Sequence, residues 1–196
     1  MREFTESFLT LYHGTDEEAA KKILCEGFIL SRPENSWCGA GVYFYDIKAK
    51  AWWSANRTCA DKRNRTKNKY KPAVIYAEVK NIPKSEIFDL RVYRDLVDFE
   101  TYVKQLDGYD LNCEGMDDQE LVIRMRSWLI EFYAKTNNKR MVIGIFRQRP
   151  QADYAEAIEF ANGLDIIFGV ETIYCVKDAS IITIIGTGGQ DDEVVS

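Results

Sequence analysis

The sequence predicts an α+β domain built on a mainly antiparallel β-sheet with surrounding helices, and three observations carry that expectation. Many short β-rich runs are interrupted by helical patterns. Those patterns lack the regular strand–helix–strand alternation that a parallel sheet requires. With 46% hydrophobic residues over 196 positions, the chain can bury one substantial core but hardly two, so residues 1–196 read as a single domain.

Phe8 to His13 is a short apolar run with strand character, and it leads straight into a helix. Thr15 and Glu18 have capping-box spacing in front of Ala19, Ala20, Ile23 and Leu24. Gly27 should stop that helix, because a left-handed turn at a helix C-terminus suits a residue without Cβ. Phe28 to Asn35 reads as a loop and Val42 to Tyr45 as the next strand. Ala51, Trp52, Ala55 and Cys59 then recur at helical spacing in a helix beginning near Lys48.

Ala73 to Val79 fits a half-buried strand, with Ile87 to Leu90 a short one beyond the Asn81-Ile82-Pro83 turn. The longest helical pattern runs from Asp117 to Lys135, where Leu121, Met125, Trp128 and Phe132 form a core-packing stripe widened by Val122, Leu129 and Tyr133. It falls within a helical insertion around residues 99–136. Arg140 to Arg147 is a strand candidate and Ala152 to Ala161 a helix. Thr172 to Val176 and Ile181 to Ile185 are expected to pair around Lys177-Asp178-Ala179-Ser180. The glycine-rich, acidic tail 186–196 is expected to fray.

A net charge of -5 argues against a generally basic coat for nucleic acid, though not against a local basic patch. The five cysteines are scattered, form no Cys-x-x-Cys pair and accompany a single histidine, which disfavours a structural zinc site. Reduced thiols are the simple reading. The start Met1-Arg2-Glu3-Phe4 lacks signal-peptide character and no apolar run approaches membrane-spanning length. The sequence therefore reads as cytoplasmic, with no membrane partner.

Three positions stand out together. His13 ends the first strand, Tyr43 lies on the glycine-flanked strand Gly41-Val42-Tyr43-Phe44, and Glu171 stands immediately before Thr172-Ile173-Tyr174. Singly, each is more often structural than functional.

Together, His13-Gly14-Thr15, Gly41-Val42-Tyr43-Phe44 and Glu171-Thr172-Ile173-Tyr174 resemble the three marks of the diphtheria-toxin-like branch of the ADP-ribosyltransferases, which includes the poly(ADP-ribose) polymerases. The order of elements between the motifs follows the same pattern, while Phe99 to Thr136 matches none of it. The resemblance implies a split, mainly antiparallel sheet and NAD as co-substrate, without a metal. Cleaving nicotinamide from NAD develops an oxocarbenium-like ribose, so the pocket must hold a cationic ring and place negative charge beside the developing cation.

By that resemblance His13, Tyr43 and Glu171 are the catalytic set. His13 would bind the adenosine ribose, the Gly14 backbone the nicotinamide amide, and Tyr43 would stack on the nicotinamide with help from Tyr45 or Trp52; Thr15 completes the first motif. Glu171 would bond the reacting ribose, stabilise its charge and help deprotonate the acceptor. Glu156 and Glu159 compete for that role from the preceding helical pattern, but a strand start gives Glu171 a fixed direction into the sheet cleft. One departure is plain. Several relatives carry Ser eight residues after the pocket Tyr, where this chain has Ala51, and Ser54 lies one helical turn on.

Arg57, Lys62, Arg63, Arg65, Lys67, Lys69 and Lys71 crowd one segment around Tyr70. A solvated loop is the plain reading, and a mobile basic flap steering phosphate is the functional one. Arg140, Arg147 and Arg149 could extend such a patch if they fold nearby.

Size and resemblance together point to a mono-ADP-ribosyltransferase acting on a macromolecular acceptor, protein or nucleic acid, as a bacterial or phage-associated toxin or defence effector. A toxin reading carries with it an antitoxin or inhibitor protein, which no residue marks. The alternatives are an NAD glycohydrolase and a catalytically silent module binding ADP-ribose, NAD or RNA.

Overall fold

The computed structural model describes residues 9–32, 36–80, 82–106, 118–147 and 170–189. The element order is β1 (Leu9–Asp16), α1 (Glu17–Glu26), β2 (Val42–Phe44), α2 (Lys48–Thr66), β3 (Pro72–Val79), β4 (Ile87–Asp89), α3 (Tyr93–Lys104), α4 (Asp118–Thr136), β5 (Met141–Arg147), β6 (Val170–Val176) and β7 (Ile182–Gly189). The α+β expectation holds. The expected helix at Ala152 to Ala161, the rival carboxylates Glu156 and Glu159, and Arg149 lie outside the described residues.

The strands form two sheets, ordered β1-β3-β7 and β2-β6-β5-β4. The first is antiparallel throughout, and in the second only β4 and β5 run parallel. The sheets touch edge to edge at one bridge, where Tyr12 and Tyr45 exchange backbone hydrogen bonds of 2.8 and 2.9 Å. The seven strands therefore follow one another as β7-β3-β1, a split, then β2-β6-β5-β4.

Alternation along each strand sorts the core into layers. Leu11, Val42, Phe44, Ala77, Val79, Met141, Ile143, Tyr174 and Val176 fill the space between the two sheets. On its other face the second sheet packs Val142, Phe146, Ile173 and Cys175 against Ile130, Tyr133 and Ala134 of α4. The first sheet lays Val74 on Ala51, Trp52 and Ala55 of α2, while Ala73 and Ile75 face Ala20 of α1. Gly14 makes the α2 contact feasible: a Cβ there would meet the Ala51 carbonyl oxygen and lie 2.8 Å from the Ala55 amide nitrogen.

Several expectations are corrected. Asp16, not Thr15, caps α1: its carboxylate accepts from the Glu18 and Ala19 amides, both at 3.1 Å, while Thr15 belongs to β1 and is buried. Gly27 does end α1, at φ 82. The strands β6 and β7 do not pair with each other; β7 lies on β3 and β6 sits between β2 and β5. The tail expected to fray from Gly186 instead continues β7 to Gly189, with Thr187 donating its hydroxyl to the Val74 carbonyl at 3.1 Å.

The stripe on α4 is also displaced. The helix buries Ser127, Ile130, Glu131, Ala134 and, as expected, Tyr133, but leaves Val122 60% and Met125 38% exposed. Apolar residues surround most of α4, so periodicity alone could not select the face. Among the described residues no helix is long and apolar enough to cross a membrane.

Candidate functional site

The three motif strands are consecutive neighbours. β1 meets β2 at the Tyr12–Tyr45 bridge, and β2 pairs with β6 through Tyr43 and Cys175. Beyond that bridge the ladder stops, and His13 Nδ1 lies 2.8 Å from the Tyr43 carbonyl oxygen. A carbonyl only accepts, so Nδ1 donates its proton and the neutral ring presents Nε2 as an acceptor. Burial lowers the His13 pKa, against the opposing pull of the Tyr43 carbonyl, and so favours this neutral form. The imidazole thus takes the place of a ladder hydrogen bond where the two sheets part.

The His13 ring packs edge-on against Phe28 at 5.3 Å and at 64° to Phe44 at 5.8 Å. It lines a cavity of about 320 Å³ with Phe28, Ile29, Ser31, Gly41 and Val42. Aromatic and aliphatic walls with few polar groups suit a planar ligand.

Tyr43 projects to the opposite face of β2 from Val42 and Phe44. Its hydroxyl donates to the Gly39 carbonyl at 2.5 Å and accepts from the Cys38 amide at 3.0 Å. Burial raises its pKa far above the usual phenol value, with the neighbouring Cys175 and Cys38 adding to the effect. The phenol is neutral and locked to the loop before β2.

That loop is itself clamped. Lys177 Nζ donates to the carbonyls of Cys38 and Ala40 at 2.8 and 2.9 Å and pairs with Glu131 Oε2 at 2.7 Å. The same carboxylate oxygen accepts from the Ala40 amide at 2.9 Å. Burial opposes the Glu131 charge, but Lys177 first and Lys135 second bring its pKa below the usual carboxylate value. Side-chain exposures of only 9% and 4% make Lys177 and Glu131 an enclosed ion pair fixing the turn at Gly39, whose φ is 82.

Glu171 lies inside β6 rather than before it, opposite Phe146 of β5. It is 6% exposed, and its Oε1 is 3.2 Å from Lys50 Nζ on the first turn of α2. Tyr45 adjoins it. Burial raises the Tyr45 pKa, a hydrogen bond with Ser54 lowers it, and the Glu171 charge raises it again. Glu171 and Lys50 thus pair between β6 and α2, with Tyr45 within reach of the Glu171 charge. A carboxylate held there by a cation can stabilise positive charge on a bound ligand.

The structure therefore pairs Glu171 with Lys50, places Tyr45 within reach of that charge, and separately joins His13 to the Tyr43 backbone. It does not bring the His13 ring against Glu171: the imidazole shares a face with Phe44, and Glu171 the face of Tyr45. Trp52 is 8% exposed, part of the α2 core, with its indole Nε1 buried and lacking a partner. Ala51 is fully buried against Gly14, so this position, where the resemblance would place a Ser, has no access to a ligand.

The basic segment is not a loop or flap as far as Thr66, because Arg57, Lys62, Arg63 and Arg65 lie on α2. Lys62 is committed to the Asp16 carboxylate and Arg57 stacks on Trp53 at 5.4 Å. Arg140 cannot extend a free basic patch, since it pairs with Glu86 at 3.1 Å and Asp178 at 2.8 Å.

Sequence reasoning missed Lys50, Glu131 and Lys177. For Glu131 a signal was present, a lone carboxylate among Ile130, Phe132, Tyr133 and Ala134. Lys50 and Lys177 carry no such mark. Among the described residues no three His, Cys, Asp or Glu side chains gather as metal ligands.

Fold and site together define an α+β domain whose sheet splits between a histidine strand and a tyrosine strand, with a buried carboxylate one strand further on. No family model matches the chain. It is similar to an uncharacterized protein of Methanocaldococcus jannaschii, 36% identical over 112 residues, which make up 55% of this chain and 49% of that protein. The chain thus spans about half the length of the curated relative it matches.

Proposed function

We propose that the protein is an ADP-ribosyltransferase that cleaves NAD and transfers a single ADP-ribose to a protein or nucleic acid acceptor. The observation that supports this reading is the adjacency of β1, β2 and β6, three strands distant in sequence, at the opening between the sheets. His13, Tyr43 and Glu171 come one from each.

In this reading the dinucleotide lies across the split. Its adenosine end meets the neutral His13, whose Nε2 accepts a ribose hydroxyl proton, in the cavity walled by Phe28. Its nicotinamide-ribose end meets the Glu171–Lys50 pair, where Tyr45 supplies an aromatic face and the carboxylate opposes the developing oxocarbenium charge. The bond broken is the glycosidic bond to nicotinamide, which leaves with its electron pair. The acceptor nucleophile attacks the same carbon, and Glu171 helps to take its proton. Action in the cytoplasm as a toxin or defence effector, opposed by an inhibitor protein, belongs to the same reading.

The experiment is incubation of the purified chain with adenylate-labelled NAD and cell lysate, with and without ribonuclease or protease. Label on protein or RNA is the expected result. Nicotinamide release without macromolecular label makes the protein a glycohydrolase, and neither product makes it a binding module.

A further inference from the structure

The Arg126 guanidinium on α4 is held between aromatic rings, and its Nε–H has no acceptor. It lies 4.9 Å from the ring of Trp37 and 4.9 Å from that of Phe146, two rings that are themselves 5.1 Å apart. Its Nε is buried without a hydrogen-bond partner. Among the described residues no carboxylate pairs with it, whereas Arg91 and Arg140 are both held by acidic side chains. The groups beside it that could carry negative charge, Cys38 and Tyr43, are kept neutral by burial.

Buried polar groups in folded proteins are almost always satisfied, and a partly buried cation without an acceptor works against stability. The two rings hold the guanidinium in place but supply no acceptor for its Nε–H. The location narrows what could satisfy them. Phe146 is the cross-strand partner of Glu171, and Trp37 precedes the loop that holds the Tyr43 hydroxyl. Arg126 therefore stands over the face of the second sheet that carries Glu171 and Tyr45. A planar fork of donors fixed by aromatic rings matches phosphate oxygens, which it can bind bidentately.

We propose that Arg126 is the receptor for a substrate phosphate group, positioned by its stacking on Trp37 and Phe146. The identity of the phosphate rests on the NAD reading: it is the dinucleotide pyrophosphate, while the phosphodiester of a nucleic acid acceptor would offer the same chemistry.

The test is calorimetric titration of the full chain, and of its Arg126→Met and Arg126→Lys variants, with pyrophosphate, NAD and a short single-stranded RNA, alongside thermal melting. The inference expects Arg126→Met to weaken NAD binding about tenfold or more. It also expects that variant to melt no lower than wild type, because a buried N–H without an acceptor has been removed. Arg126→Lys keeps the charge but loses the fork, so it weakens binding by less; it carries the test if the Met variant does not fold. Pyrophosphate binding that depends on Arg126, without NAD binding, keeps the receptor and overturns the NAD reading. An effect confined to RNA keeps the receptor and assigns it to the acceptor. Equal affinity of wild type and both variants for every ligand overturns the inference while leaving NAD binding intact. A lower melting temperature with unchanged affinity makes Arg126 structural and also overturns it, as does absence of binding to all three probes.

Discussion

Lys50 Nζ lies 3.2 Å from Glu171 Oε1, joining the first turn of α2 to the second residue of β6 across 121 positions of sequence. The glutamate side chain is 5% exposed and the lysine 35%, so an enclosed carboxylate is held by a cation that still reaches solvent. The pair ties β6 to the helix that follows the tyrosine strand.

Glu171→Gln keeps the shape and removes the charge. On the proposed NAD reading, turnover should fall about a hundredfold or more, with melting temperature shifted by only a few degrees. Rates and thermal melts on one preparation check this, and full activity in the variant would move the catalytic carboxylate elsewhere.

Stability should depend on pH through His13, the only histidine in the chain. Burial lowers its folded pKa below the ordinary value of 6.5. The unfolded chain therefore takes up this proton first as pH falls, and its contribution to stability is complete above 6.5 and lost progressively below it. Melting temperatures from pH 8 to pH 5 should decline through that window. His13→Gln, which retains a donor for the Tyr43 carbonyl, should flatten the decline; an unchanged slope would exclude His13 as its source.

Lys177→Met leaves Glu131 enclosed without its main partner. The loss should be about 3–5 kcal/mol, and the double variant with Glu131→Gln should recover part of it. Chemical denaturation of the two single variants and the double variant measures the coupling. Because the pair clamps the loop that bonds the Tyr43 hydroxyl, near-ultraviolet circular dichroism should change in the Lys177 variant even where it remains folded.

Gly14→Ala introduces a Cβ against the Ala51 carbonyl and 2.8 Å from the Ala55 amide nitrogen, both backbone atoms of α2. The helix has to move, at a cost of about 1–3 kcal/mol or more. A drop in melting temperature of about 2–4 °C per kcal/mol is the readout. Wild-type stability in this variant would contradict the close β1–α2 packing.

Much of the architecture was legible locally. The stop at Gly27, the start of α2 near Lys48 and the strands at Val42, Ala73 and Arg140 follow from caps, glycines and apolar periods, which depend on neighbours in sequence. The cap was misassigned by one residue, since Thr15 and Asp16 both offer an oxygen and only the extension of β1 through Asp16 decides between them.

The sequence by itself determined an α+β domain, the order of most of its elements but not α3, and which three short segments carry a histidine, a tyrosine and a carboxylate. Tertiary structure alone decided that β6 and β7 belong to different sheets, that α4 turns Glu131 inward, and that Lys50 rather than His13 meets Glu171. Periodicity reports burial and not partner. Which of several apolar faces is covered, and which buried charge answers another, depends on strands and helices scores of residues apart competing for the same contacts.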